Sequence, residues 1–188
     1  MLVGLCEAID ARPYMKGHGS RVSALAEAIA LRLGWNADRI RRLRIGALLH
    51  DVGKLAVADT IWDKAERLNE RELREIRRHP NAGARILSRQ PEFRFAIPHV
   101  LFHHEHWNGG GYPQGRRGAA IPLEARVLAV ADAFDAMISP RPYRPALPVR
   151  DSLAEIDRCA GTQFDPVVAT IFVELCRDRA PRLAAARG

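Results

Sequence analysis

Two adjacent residues, His50 and Asp51, present an imidazole and a carboxylate side by side. Both groups are common metal ligands, and their combination favours Fe, Mn, Zn or Ni over Mg or Ca. The pair follows the apolar run 45–49, so we expect it at the end of a buried helix. A carboxylate there is costly unless it is paired or coordinates a metal. Taken alone, the pair fits an ordinary helix end equally well.

Further candidate ligands occur at predicted helix ends or on inward-facing helix stripes. They are His18, His79, His103, His104 and Asp132. Each of them alone would more often be structural than a ligand. Together with the adjacent pair they exceed the ligand needs of one metal ion. Two metals ~3.5–4 Å apart are the usual device for phosphate ester hydrolysis, because they polarise the phosphoryl oxygen and generate a hydroxide at neutral pH.

The elements that must position these residues are predicted to be helices. Apolar residues recur every three or four positions, and no segment shows the alternation of a strand. Predicted helices span about residues 2–10, 18–33, 37–51, 149–160 and 166–177, others begin near Asn69, Pro80, Val100 and Pro122, and 54–68 is a predicted loop. Asn69 with Glu72 predicts a capping box, and Asp165 predicts an N-cap. The expected fold class is all-α, a single compact bundle of about seven to nine helices.

Composition limits the classes of function. The 188 residues suit one domain, and the formal net charge of +7 favours an anionic partner such as nucleic acid, nucleotide or membrane surface. The arginines are scattered, however, so we expect neither direct nucleic-acid binding nor membrane binding. Three cysteines without Cys-x-x-Cys spacing indicate reduced thiols and a cytoplasmic protein. No stretch reads as a signal peptide or a membrane span.

Ordered motifs along nearly the whole chain resemble those of the HD-GYP subgroup of the HD-domain phosphohydrolases. In order they are YMKGH at 14–18, HDVGK at 50–54, HPNAG at 79–83, HHE at 103–105, GYP at 111–113, VADAFDA at 130–136, RPYR at 141–144 and GTQFDP at 161–166. The resemblance implies an all-helical HD-domain bundle. It also implies a phosphodiesterase that hydrolyses cyclic di-GMP to pGpG, to GMP or to both, by a hydroxide that two metals activate.

The resemblance also implies roles for individual residues. The implied metal ligands are His18, His50, Asp51, His79, His103, His104 and Asp132. Asp51 would bridge the ions, and Lys54 would neutralise the scissile phosphate or position the hydroxide. Arg141 and Arg144 would bind the substrate phosphate. Gly111 and Tyr112 would belong to a loop that lines the substrate pocket. Asp135 could contact a metal-ligating side chain without binding the metal itself. Glu105 could orient a ligating histidine or lie at the surface. His99 and His106 match no motif.

One departure from the family pattern bears on the number of metals. Some members carry a glutamate four residues before the first histidine, where it helps to bind a third metal. This chain has Tyr14 at that position. We therefore predict two divalent ions, most simply Fe or Mn, with Ni or Zn as further options.

Alternatives remain open at this stage. The substrate could be another cyclic dinucleotide or nucleotide, or the domain could be a regulatory module that binds other cyclic di-GMP signalling proteins. We expect one domain over 1–188, with 1–13 a stub of a helix from an upstream region and 181–188 a frayed tail. The first helix could pair with a copy of itself in a homodimer.

Overall fold

The computed structural model of the protein describes residues 2–11, 15–62, 64, 66, 68–140 and 145–185. In chain order its α-helices are α1 (Leu2–Asp10), α2 (His18–Arg32), α3 (Ala37–Leu49), α4 (Asp59–Trp62), α5 (Glu70–Ile76), α6 (His79–Ser88), α7 (Ile97–Phe102), α8 (Leu123–Ile138), α9 (Val149–Arg158) and α10 (Pro166–Ala185). Short 3₁₀ segments span Val52–Ala56, Pro91–Ala96 and Gly118–Ala120. The described residues contain no β-strand, so the predicted all-α fold class is confirmed.

Several element boundaries differ from the prediction. Part of the predicted loop 54–68 is helical, because Val52–Ala56 forms a 3₁₀ segment and α4 follows it. The helix predicted near Val100 ends at Phe102, so the next two histidines follow a helix end. Helix α10 continues to Ala185, past its predicted end near Arg177, since most residues beyond Pro181 are strong helix formers. Residues 186–188 of the predicted tail lie outside the described residues.

Local capping signals set several helix starts. The Asn36 side chain accepts a hydrogen bond from the backbone N–H of Arg39 at the start of α3. Asn69 and Glu72 form the predicted capping box at the start of α5. Asp165 accepts from the backbone N–H of Val167 at 2.8 Å, as its predicted N-cap role requires. These helix starts are therefore determined by nearby residues.

Two main clusters of buried apolar side chains hold the helices together, and a third, small one joins the end of α7 to the start of α8. The larger one joins α2, α3, α8, α9 and α10, and within it the Phe134 and Phe172 rings lie 4.8 Å apart. The second joins α1, the end of α3, α6 and α7, with Val52, Leu87 and Val100 fully buried. Since α3 contributes to both clusters, its C-terminal end lies where they meet.

A close backbone contact sets the position of the chain just after α3. A Cβ atom on Gly53 would lie 1.8 Å from the carbonyl oxygen of His79, so no larger residue fits there without a shift. The 3₁₀ segment therefore lies directly against the start of α6. This contact brings His50 and Asp51 next to His79. Among the described helices, none is both long and apolar enough to cross a membrane.

Candidate metal centre

All seven predicted metal ligands lie close together at one site. His18 and His79 are the first residues of α2 and α6, His50 and Asp51 follow α3, His103 and His104 follow α7, and Asp132 lies within α8. Most of them are buried, whereas the side chain of Asp132 is 17% exposed. Helix ends and one helix face therefore supply every candidate ligand, at the helix positions expected from the sequence.

The two carboxylate oxygens of Asp51 face different pairs of histidines. Its Oδ2 lies 3.3 Å from Nε2 of His50 and 3.6 Å from Nε2 of His18. Its Oδ1 lies 3.5 Å from Nε2 of His79 and 4.0 Å from Nε2 of His103. A carboxylate in this arrangement can contribute one oxygen to each of two cations, which is the geometry that a bridging ligand requires.

Each side of Asp51 has a further ligand of its own. On the Oδ2 side, Oδ1 of Asp132 lies 3.3 Å from Nε2 of His18 and 3.8 Å from Nε2 of His50. On the Oδ1 side, His104 completes a group with His79 and His103 whose ligand atoms lie within 4.8 Å of one another. The described residues thus form one carboxylate-rich half and one imidazole-rich half that share Asp51.

Three histidines are oriented by helix carbonyls three residues earlier. Nδ1 of His50 donates to Ala47 at 2.6 Å, and Nδ1 of His103 donates to Val100 at 2.8 Å. Nδ1 of His79 donates in the same way to the carbonyl of Ile76, at 2.8 Å. The last carbonyls of a helix lack partners within the helix, so a histidine just beyond its end can use one. Each ring then directs Nε2 toward Asp51.

His18 is oriented by a carboxylate. Its Nδ1 donates to Oδ2 of Asp135 at 2.8 Å, and Asp135 also accepts from Nε and Nη2 of Arg21, at 2.6 and 3.0 Å. The sequence suggested a supporting role for Asp135, and its position agrees with that role. Partners of this kind fix the tautomer and ring orientation of a metal-ligating histidine.

The arrangement of nitrogen atoms fits a cation. In His79 and His103 Nδ1 donates to a carbonyl oxygen, which can only accept, so Nε2 of each neutral ring carries a lone pair. These two Nε2 atoms lie 3.3 Å apart. Two lone pairs that face each other inside a protein repel unless a positive charge lies between them. A divalent metal bound by imidazole and carboxylate satisfies this requirement.

The two halves of the centre bind protons with different affinity. Burial lowers the pKa of His18, but hydrogen bonds with Asp132, Asp135 and Asp51 outweigh burial and raise the pKa to about 11. Burial likewise lowers the pKa of His50, but nearby Asp51 and Asp132 raise it to about 9.

The imidazole-rich half behaves in the opposite way. Burial lowers the pKa of His79 to about 4 and that of His104 to about 3, and it also lowers the pKa of His103. These three rings are therefore neutral near pH 7 and are ready to act as ligands. His18 and His50 in the other half would have to release their protons in order to hold a cation.

Lys54 contacts the shared carboxylate directly. Its Nζ lies 2.6 Å from Oδ2 of Asp51 and 3.9 Å from Sδ of buried Met15. Burial opposes ionisation of Asp51, but Lys54 and then His50 lower the pKa of Asp51 well below its usual value. Lys54 therefore keeps Asp51 ionised, which sequence reasoning did not assign to it.

Glu105 has a role that the sequence did not predict. It is buried, and its oxygens accept from the backbone N–H groups of Gln114 at 2.7 Å and of Arg116 at 2.9 Å. A Cβ on Gly111 would lie 2.2 Å from the backbone nitrogen of His106, so the loop lies directly on the histidine segment. Glu105 thus positions the loop that contains the GYP motif. The sequence contained a signal for this role, since an acid that follows two histidines on an inward-facing segment needs a partner.

Within this loop, Tyr112 stacks on a ligand. Its ring lies 4.8 Å from the ring of His104 at an interplanar angle of 28°, and its backbone N–H donates to the carbonyl of His104. The Arg77 guanidinium lies 5.5 Å from the centre of the Tyr112 ring. Sequence reasoning did not single out Arg77, because no motif marks it. The predicted substrate residues Arg141 and Arg144, and Tyr14, lie outside the described residues.

A small cavity opens beside the imidazole-rich half. It has a volume of about 190 Å³. It is lined by the candidate ligands His103, His104 and Asp132 and by Glu105, His106, Gln163, Ala129 and Ala133. His106, which matches no motif, therefore lies near the centre. His99 lies away from the centre, because it is buried against Gly46 of α3. Its ring nitrogens have no hydrogen-bond partner among the described residues.

Known proteins share this sequence pattern and fold. A family model described as HD domain matches residues 6–168. The chain is 42% identical over 149 residues to the cyclic di-GMP phosphodiesterase response regulator RpfG of Xanthomonas campestris, covering 78% of this chain and 39% of that protein. It is 41% identical over 160 residues to 3'3'-cGAMP-specific phosphodiesterase 3 of Vibrio cholerae, covering 84% and 35%.

A solved structure extends the comparison to the fold. Bd1817, an HDG"Y"P protein from Bdellovibrio bacteriovorus, matches with a TM-score of 0.69 at 23% identity, covering 85% of this chain and 51% of that chain. At this level of identity the match concerns the fold alone. The chain spans well under half the length of the curated relatives described above, 39% of one and 35% of the other.

Proposed function

We propose that this chain, which belongs to the HD-domain family and to its HD-GYP subgroup, is a metal-dependent phosphodiesterase that hydrolyses cyclic di-GMP. The observation that carries this proposal is Asp51, whose two oxygens face two separate groups of histidines. Relatives with cyclic dinucleotide substrates in their names support the choice of substrate class. The products would be pGpG, GMP or both.

The residues of the chain would have the following roles. His18, His50 and Asp132 would hold one ion, His79, His103 and His104 the other, and Asp51 both. Two divalent ions, Fe or Mn in the first instance, would polarise the phosphoryl oxygen and supply a hydroxide at neutral pH. Lys54 would keep Asp51 ionised and add positive charge beside the phosphate. Tyr112, held against His104, would form part of the pocket wall, and Arg141 and Arg144 would bind phosphate.

Metal content and turnover, measured on the same anaerobic preparation, test this function. We expect the wild type to contain bound Fe or Mn and to convert cyclic di-GMP, with products separated by chromatography. The Asp51→Ala variant should lose both properties. If the wild type, fully loaded with Fe or Mn, left cyclic di-GMP intact, the proposal would be wrong.

A mixed cyclic dinucleotide is the second candidate substrate. It is favoured by the 41% identity to a relative named as specific for 3'3'-cGAMP. The metal centre acts on the phosphodiester, which all cyclic dinucleotides share, so it does not select the base. A panel of cyclic di-GMP, 3'3'-cGAMP and cyclic di-AMP, compared by kcat/KM, distinguishes these substrates. A cytoplasmic location, a homodimer and contacts with other cyclic di-GMP signalling proteins stay predictions from the sequence.

A further inference from the structure

Arg77 lies at the exposed end of a row of side chains that begins at the metal centre. It directly follows α5 and precedes the ligand His79 by two residues. Its guanidinium carbon lies 5.5 Å from the Tyr112 ring centre, and that ring is stacked 4.8 Å from the ring of His104. Contacts between neighbouring side chains therefore connect a metal ligand to an exposed cation.

Two other described cations near the centre, Lys54 and Arg21, have carboxylate partners. Lys54 lies 2.6 Å from Asp51, and Arg21 binds Asp135 through two nitrogens. For Arg77 the described residues provide a contact with an aromatic ring and no carboxylate within salt-bridge distance. A guanidinium stacked near an aromatic ring keeps N–H donors available at its edge, so it can still bind an anion.

A cyclic dinucleotide contains two phosphodiesters, and only one of them can be cleaved at the metal centre at a time. The other carries a negative charge that must lie outside the centre while the first reacts. A planar guanidinium suits phosphate because it can donate two parallel hydrogen bonds. We propose that Arg77, positioned by Tyr112, binds the phosphodiester that is not being cleaved. This inference rests on the proposed function and adds a substrate contact to it.

The proposal predicts that loss of the Arg77 side chain weakens the binding of cyclic dinucleotides in particular. Because Arg77 would touch the bound dinucleotide away from the reacting bond, Arg77→Ala should raise KM and leave kcat nearly unchanged. A lost hydrogen bond to a charged group corresponds to an increase of KM of about ten-fold or somewhat more. Arg77→Lys keeps the charge but loses the planar pair of donors, so its increase should be smaller.

The experiment compares two substrates in the metal-loaded protein. Cyclic di-GMP has two phosphodiesters, whereas bis(p-nitrophenyl) phosphate has one and offers Arg77 nothing to bind. Arg74→Ala is the matched control, because Arg74 lies in the last turn of α5, three residues before Arg77, is exposed and pairs with Glu70 at 3.6 Å. Steady-state parameters are measured for wild type, Arg77→Ala, Arg77→Lys and Arg74→Ala at two salt concentrations.

We expect Arg77→Ala to raise KM for cyclic di-GMP and to leave KM for bis(p-nitrophenyl) phosphate unchanged. The KM of this variant for cyclic di-GMP should also depend less on salt. Arg74→Ala should have the kinetic parameters of the wild type on both substrates. Equal losses on both substrates, or no loss on either, would overturn the role of Arg77 and leave the proposed function standing. A wild type that hydrolyses bis(p-nitrophenyl) phosphate but none of the cyclic dinucleotides would instead overturn the proposed function. The two failures are therefore distinguishable.

Discussion

Asp51 is the residue on which the two halves of the centre depend. Each of its oxygens faces a different pair of histidines, and Lys54 keeps it ionised. Glu105 has a comparable influence on the neighbouring loop, because one carboxylate accepts two backbone N–H groups. Substitution of Asp51 should therefore affect metal binding, whereas substitution of Glu105 should affect the position of the loop.

Replacing Asp51 with asparagine should lower the content of both metals. The amide retains one neutral acceptor oxygen but loses the negative charge that both ions would share. We expect the metal bound per chain to fall from about two ions to one or fewer, measured by elemental analysis. Asp38→Asn is the control, since Asp38 is an exposed acid at the start of α3. Unchanged metal content in Asp51→Asn would contradict the bridging role.

Replacing Glu105 with glutamine should loosen the loop and leave the metals in place. One of the two backbone N–H groups would then face an amide NH₂ instead of an oxygen, at a cost of about 1–3 kcal/mol. We expect faster amide hydrogen exchange at Gln114 and Arg116 and a lower kcat/KM for cyclic di-GMP. Metal content equal to wild type is part of the prediction. Loss of metal would mean that Glu105 supports the ligands instead.

Helix ends, more than helix faces, build the centre. Six of the seven predicted ligands lie at the first residue of a helix or just beyond its last, and Asp132 is the exception. Their alignment depends on how closely the 3₁₀ segment after α3 approaches α6. Gly53 permits that approach, because a side chain there would overlap the backbone of His79.

Replacing Gly53 with alanine should therefore destabilise the fold at the junction of the two apolar clusters. Overpacking against backbone costs about 3 kcal/mol or more. For a chain of this size the melting temperature should then fall by roughly 6–12 °C, measured by calorimetry. Gly4→Ala provides the control, because nothing lies within 4 Å of a Cβ at that helical position. Equal melting temperatures in the two variants would show that the segment moves aside at little cost.

At the scale of the whole molecule, buried histidines make stability depend on pH. His99 is distinct from the metal centre and faces Glu124 and Arg39 across the packing of α3, α7 and α8. Burial lowers its pKa to about 4, below the ordinary value of 6.5. The unfolded chain therefore binds this proton first as pH falls. The stability that His99 contributes in its neutral form is present above pH 6.5 and is lost between about pH 6.5 and 4.

The variant His99→Leu should reduce this sensitivity to acid. Between pH 7 and pH 5, the free energy of unfolding of the wild type should fall by about 2 kcal/mol more than that of the variant. Urea unfolding of the metal-loaded proteins at both pH values measures this difference. Equal losses of unfolding free energy between pH 7 and pH 5 in wild type and variant would contradict the prediction. Such a result would mean that the His99 ring binds a proton as easily in the folded protein as in the unfolded chain.

The sequence by itself determined which residues could bind metal and where most of the helices lie, although it missed the helical part of the predicted loop 54–68. Helical periodicity, the capping signals at Asn69 and Asp165, and the order of the motifs are local properties, so they can be read without the fold. The candidate ligands could be named for the same reason, since histidines and acids on apolar stripes need a partner wherever those stripes meet.

Only the tertiary structure decided how those residues divide between two halves. The pairing of each Asp51 oxygen with particular histidines and the row of Arg77, Tyr112 and His104 join residues from separate segments of the chain. The contact of Lys54 with the Asp51 carboxylate is likewise visible only in the folded chain. Their distances depend on side-chain packing and on one backbone approach at Gly53, neither of which leaves a periodic signal in the sequence.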